Sequence, residues 1–273
     1  MKLKKIAPII VVLAIIAVGL LIYVEKSVPN IEWDITVKTG STVKTISFKQ
    51  LYKMESITIE ATLVKSTGKK ITNKWTGAPL QTFLKEAGVS DFKQLIFIAE
   101  DGYMVSLSKQ ELEGAILAYK KDGSLLSERD GKPVRLVVPN QPGSTWVKYV
   151  KEIVVVTGGP TLKFEGKVKV KLEIPLEYLK TIANYEVTVE KKGKTVTYKG
   201  VRLLELLDKV RILDDAVNIT FIAEDGYQVT LPLEEVFNME NAIITVEDNS
   251  FRLIIPDYSS KYWVKKLVKI VIS

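Results

Sequence analysis

The chain opens on an uninterrupted apolar run from Ile6 to Val24, preceded by Lys2, Lys4 and Lys5 and closed by Glu25-Lys26. At 1.5 Å per helical residue, 19 such positions match a hydrocarbon core of about 30 Å. The run reads as an uncleaved anchor over 1–27, with a cleaved signal and a buried helix as alternatives. Its only small-residue cleavage candidate, Ala17-Val18-Gly19, lies inside the run. The preceding lysines place the N-terminus on the cytoplasmic side. The expectation is a single-pass protein of the cytoplasmic membrane with its remaining chain extracytoplasmic.

Beyond the run the period changes to two. Ile31 to Thr39 and Thr42 to Phe48 alternate as strands around Gly40-Ser41, and Ile57 to Val64 with Lys70 to Trp75 suggests a hairpin around Ser66-Thr67-Gly68. Phe48 to Lys53 reads as a short helix. Pro79 to Ala87 reads as another, because Leu80, Phe83, Leu84 and Ala87 recur at helical spacing and Gly88 suits the C-terminal cap. Strands follow over Gln94 to Ala99 and Tyr103 to Leu107, joined by Asp101-Gly102, whose chemistry is that of a hairpin turn rather than of a cation site. Ser108-x-x-Glu111 predicts a capping box opening a helix. Strands Val134 to Val138 and Tyr149 to Val156 come next, and Lys167 to Leu172 alternates like a half-exposed strand.

Most of these patterns occur twice. Trp75-Thr76-Gly77, the segment from Phe97 to Tyr103, Arg135 to Pro139 and Trp146-Val147-Lys148 are echoed by Tyr198-Lys199-Gly200, Phe221 to Tyr227, Arg252 to Pro256 and Trp263-Val264-Lys265. The spacing is that of a domain rather than of a solenoid repeat. Thr157-Gly158-Gly159-Pro160 is the natural linker. The expected organisation is an anchor over 1–27 and two domains over 28–157 and 161–273. Mixed strands and short helices predict an α+β class.

Composition narrows the chemistry. With 273 residues, 47% hydrophobic and 26% charged, the chain is globular. It contains neither cysteine nor histidine, which excludes a tetrahedral zinc site, haem ligation through those residues, a cysteine nucleophile and a histidine general base. The net charge is +7. Setting aside four lysines and one glutamate flanking the apolar run leaves +4, spread along alternating strands, so nucleic acid is not an expected partner. The Lys/Glu-rich, methionine-poor composition fits a thermophile.

The ordered words from Trp75 to Leu80, Asp101-Gly102-Tyr103, Arg135 to Pro139, Gly143 to Lys148 and Ile153-Val154 resemble the sulfite-oxidase-like molybdopterin-binding family. The second set matches more loosely, with Tyr198 for the tryptophan and Tyr258 to Tyr262 for the glycine-containing stretch. The resemblance implies two degenerate copies of that fold and makes molybdopterin a candidate cofactor. It also implies a metal-binding cysteine on Thr62-Leu63-Val64-Lys65-Ser66 or Glu190-Lys191-Lys192, where this chain has none, so no resident cofactor is the expectation.

What the resemblance carries over is an anion pocket: Ser144, Thr145 and Lys148 in the first copy, Ser259, Ser260 and Lys265 in the second. An ammonium beside hydroxyl and amide donors suits a phosphate or carboxylate. Arg135 and Arg252 read as strand-edge ion pairs, with ligand contact as the alternative. Trp75, Trp146 and Trp263 read as core residues, with an aromatic platform as theirs. Three functions remain open: a non-catalytic module binding a small anion or a membrane-complex partner, a molybdenum or tungsten oxidoreductase with a non-thiolate ligand, and a structural component of the envelope.

Overall fold

The computed structural model describes residues 28–273 except Lys65, Ser66, Lys192 and Asp257. Strands dominate them, which corrects the α+β expectation: the α-helices are five, each of five to eight residues. No helix among the described residues is long and apolar enough to cross a membrane. The anchor expected over 1–27 lies outside the described residues, and the membrane placement built on it is corrected because no described helix supports it.

The alternating segments pair as their period dictates. In the first sheet β1 (Asp34–Thr39) and β2 (Thr42–Ser47) are antiparallel, and β1 runs parallel to β10 (Val150–Val156). β5 (Gln94–Ala99) and β6 (Met104–Ser108) complete the order β2-β1-β10-β5-β6. A second sheet joins β3 (Ile57–Val64), β4 (Lys70–Pro79), β7 (Ile116–Lys121) and β8 (Ser124–Leu125), with β9 (Arg135–Val137) also on β7.

After Gly158-Gly159 the same neighbour order recurs in one nine-stranded sheet. β11 (Thr161–Gly166), β12 (Leu172–Pro175), β15 (Asn218–Ala223), β16 (Gln228–Pro232) and β19 (Leu267–Ile272) repeat the first arrangement, including a parallel β11–β19 pair. β13 (Tyr185–Lys191), β14 (Lys194–Arg202), β17 (Ile243–Glu247) and β18 (Ser250–Ile254) repeat the second.

The glycine of the Trp-x-Gly word is a packing requirement. A Cβ on Gly77 would lie 2.1 Å from the Leu117 carbonyl oxygen across β4–β7, and one on Gly200 would lie 2.4 Å from that of Ile244. Both strands therefore need a residue without a side chain at the crossing.

Helices α1 (Phe48–Lys53), α2 (Leu80–Glu86), α3 (Leu176–Ile182), α4 (Leu203–Val210) and α5 (Leu233–Phe237) each bury one face. α1 carries a capping box between Ser47 and Gln50. The expected Ser108–Glu111 box forms as well, but only a turn follows it. Gly114 at φ +72 ends that segment before a helix can grow.

Ile96, Met104, Val154 and Val156 pack with Leu162, Phe164 and Leu172, whereas Val170 joins the cluster around Phe97 and Trp146. The Ser106 hydroxyl donates to the Glu173 carbonyl at 2.9 Å and accepts from its amide at 3.1 Å. The outer face of the first sheet is thus covered. That is why β5 reads as a continuous apolar run while its counterpart β15 alternates.

Candidate functional site

A cleft of about 1740 Å³ opens beside the second sheet. Its floor is aromatic and cationic: Trp75 and Trp146 meet edge to face at 5.8 Å, and the Arg135 guanidinium lies 5.2 Å and 5.8 Å from their ring centroids. Arg135 is only 6% exposed. One of its terminal nitrogens donates to the Asp130 carbonyl at 3.2 Å, but its Nε and the indole N–H groups of Trp75 and Trp146 are buried without an acceptor. Burial draws the Arg135 pKa down to about 10, against the raising effect of Asp130.

The walls add charge. The Asp130 carboxylate is taken by Lys121 at 2.9 Å and by the Ser127 hydroxyl, which together outweigh the upward push of its partial burial and leave it below the usual carboxylate range. Lys148 donates to the Arg129 carbonyl at 2.6 Å, and its stem packs on Gly131, where a Cβ would come within 2.7 Å of it. Burial lowers the Lys148 pKa, and the neighbouring Arg135 charge lowers it further. Lys70, Lys169 and Arg211 also line the cleft, whose carboxylates are Glu60, Asp101 and Asp130. The excess is positive.

The rim is the turn Gly143–Thr145, held against the end of β3: a Cβ on Gly143 would lie 2.8 Å from the Val64 carbonyl oxygen. Tyr103, which follows the Asp101-Gly102 turn, donates its hydroxyl to the Ser144 carbonyl. Asp101 itself caps that turn by accepting from the Tyr103 amide at 3.0 Å.

Of the expected anion-binding residues, Ser144 and Lys148 line the cleft. Thr145 does not; its hydroxyl is spent on the Pro142 carbonyl at 2.8 Å. Ser259, Ser260 and Lys265 are exposed and lie outside it. The counterpart floor in the second half is closed electrostatically. Arg252 lies 5.6 Å and 6.0 Å from the Tyr198 and Trp263 rings, and its Nε is buried without an acceptor as that of Arg135 is, but a terminal nitrogen is paired with Glu247, and Trp263 donates to the Ile255 carbonyl at 2.6 Å. Where β17 ends in Glu247, β7 ends in Lys120-Lys121.

The strand-edge ion pair expected of both arginines therefore holds for Arg252, whereas Arg135 faces the cleft without one. Tyr103, Lys169 and Arg211 were not legible as cleft residues. The first follows a turn, and Lys169 sits in a segment whose period suggests a strand.

The donor set suits the anionic part of a pterin cofactor: a buried guanidinium with an unpaired N–H, a half-buried ammonium and an aromatic floor. It offers no thiolate for a metal, since the chain has no cysteine. Among the described residues no group of three or more carboxylates stands close enough to hold one.

The chain is similar to several known proteins. Nitrate reductase [NADH] of Solanum lycopersicum is 33% identical over 102 residues, which cover 32% of this chain and 11% of that protein. Nitrate reductase [NADPH] of Phytophthora infestans is 27% identical over 163 residues, covering 46% of this chain and 18% of that one. The chain thus spans less than a fifth of those relatives' length. The sulfane dehydrogenase SoxCD of Paracoccus pantotrophus aligns over 85% of this chain and 68% of its own, at 15% identity and a TM-score of 0.44. Residues 24–160, which include every first-half wall of the cleft, match the oxidoreductase molybdopterin binding domain, and the chain belongs to that family.

Proposed function

We propose that the cleft binds a phosphate-bearing ligand of the molybdopterin class, and that the chain acts as a binding module that contributes no protein ligand to a metal. The observation that carries this reading is the floor: a guanidinium and two indoles with three buried N–H groups that the protein leaves unpaired. Unpaired buried donors cost about 1–3 kcal/mol each, and the charge of an anion seated over the floor would offset part of that cost without touching them. Arg135 sets the field at the floor, Lys148 provides the reachable charge, and the Ser144 turn brings backbone close to the ligand.

A bound molybdopterin would bring a dithiolene-held metal and its redox chemistry. The residues here bind and orient the anionic end and exclude water from the indole floor. The similarity to nitrate reductases supports a second reading, a molybdenum or tungsten oxidoreductase with a non-thiolate metal ligand. We also read residues 28–157 and 161–273 as two copies of one fold, of which the first keeps an open site and the second is closed by Glu247.

The test is to produce the chain in a host that makes molybdopterin and to measure co-purified pterin by fluorescence after oxidative release, with metal content alongside. The expected result is pterin that Lys148→Ala removes and Lys265→Ala does not. Absence of both pterin and phosphate binding, or loss with Lys265→Ala alone, overturns the proposal. Near-stoichiometric molybdenum or tungsten with turnover favours the second reading.

A further inference from the structure

The cleft draws its cations from two stretches of chain. Arg135 and Lys148 belong to the family-matched part, but Lys169 and Arg211 come from beyond it. The segment carrying Lys169 leaves β11 at Gly166, where a Cβ would lie 2.0 Å from the Ile272 carbonyl oxygen. Its alternating pattern suggested a strand; it runs instead along the end of α4. The Lys169 amide donates to the Arg211 carbonyl at 3.0 Å, and Val168 bridges Ile212. Val170, buried in the core beneath the cleft, pins the next position.

Arg211 ends α4 in the left-handed region at φ 52. Its guanidinium lies 4.4 Å from the centroid of Tyr103, whose hydroxyl holds the Ser144 rim. Among the described residues, neither Lys169 nor Arg211 has a carboxylate within 4 Å. Two exposed cations thus stand on hydrogen-bonded backbones at the cleft wall with no carboxylate paired to either.

The magnitudes favour two ligand charges centres over one. Seven cations against three carboxylates line the cleft, whereas a single phosphate monoester carries only about −1.5 to −2. We propose that Lys169 and Arg211 form a second anion subsite, so that the cleft selects a ligand with two separated anionic groups, one of them held by Arg135 and Lys148. The inference rests on the reading of the cleft as an anion site. It assigns the second half of the chain a role in ligand selection.

Isothermal titration calorimetry on the full chain at fixed ionic strength tests it, with inorganic phosphate and short and long alkanediol bisphosphates as probes. At least one bisphosphate should bind about tenfold or more tightly than phosphate, as expected when two linked groups bind together. Lys169→Ala combined with Arg211→Asn should abolish that advantage while phosphate affinity stays within about twofold. Asparagine tolerates the left-handed backbone, thermal denaturation checks folding, and Arg211→Lys should retain the advantage. Persistence of the advantage in the double variant, or phosphate binding with no gain for any bisphosphate, overturns this inference alone. Failure of every probe to bind overturns it together with the reading of the cleft.

Discussion

At the scale of single residues, burial disfavours the protonated forms of two cations of the cleft. Arg135 is drawn down to about 10 by burial, and Lys148 is lowered by burial and by the nearby guanidinium. A bound anion favours the protonated forms, so above these lowered values binding must take up protons. Once phosphate has completed its own second ionisation near neutrality, its affinity should level off and then fall as pH rises toward about 10, earlier than an ordinary lysine would dictate; phosphate titrations across pH read this directly. The same groups act oppositely on folding. Between their lowered values and the ordinary ones the unfolded chain binds more protons, so their contribution to stability rises with pH in that window. An affinity that stays flat through pH 10 would show that neither group contacts the anion.

At the scale of elements, the two turns that end in Tyr103 and Tyr227 are built alike. Each aspartate accepts from the tyrosine amide at 3.0 Å, and each hydroxyl donates to a carbonyl of the turn before the tryptophan, Ser144 or Lys261. Their surroundings differ, because Tyr103 lines the cleft and carries Arg211 on its ring. Replacing either tyrosine by phenylalanine removes one hydrogen bond and should cost about 0.5–1.5 kcal/mol in urea unfolding. Only Tyr103→Phe should also weaken phosphate binding, because it alone frees the rim of the open site. Equal binding losses in the two variants would count against a site confined to the first half.

At the scale of the whole molecule, the two halves share a pairing order but differ in how the buried arginine is treated. Arg252 is 3% exposed and neutralised by Glu247, and its tryptophan neighbour has an acceptor. Glu247→Ala should therefore cost about 1–3 kcal/mol, the penalty of leaving a buried donor unsatisfied, and thermal unfolding measures it. Adding phosphate should recover part of the loss if the freed arginine then binds the anion; an unchanged melting temperature on the mutation itself would show that the pair contributes nothing.

The sequence by itself determined most of the strands, because a period of two is a local property, and it determined the doubled words and the absence of any thiol or imidazole. It also singled out Ser144 and Lys148, both of which line the cleft. What only the tertiary structure decided was which cations share a cavity. Arg135 and Arg252 occupy the same local pattern, yet Glu247 on a neighbouring strand neutralises one while β7 ends in lysines beside the other. Lys169 belongs to an alternating run that reads as a strand, and only packing of Val170 into the distant core turns it toward the cleft. Burial and electrostatics depend on what lies across the fold, and no local period encodes that.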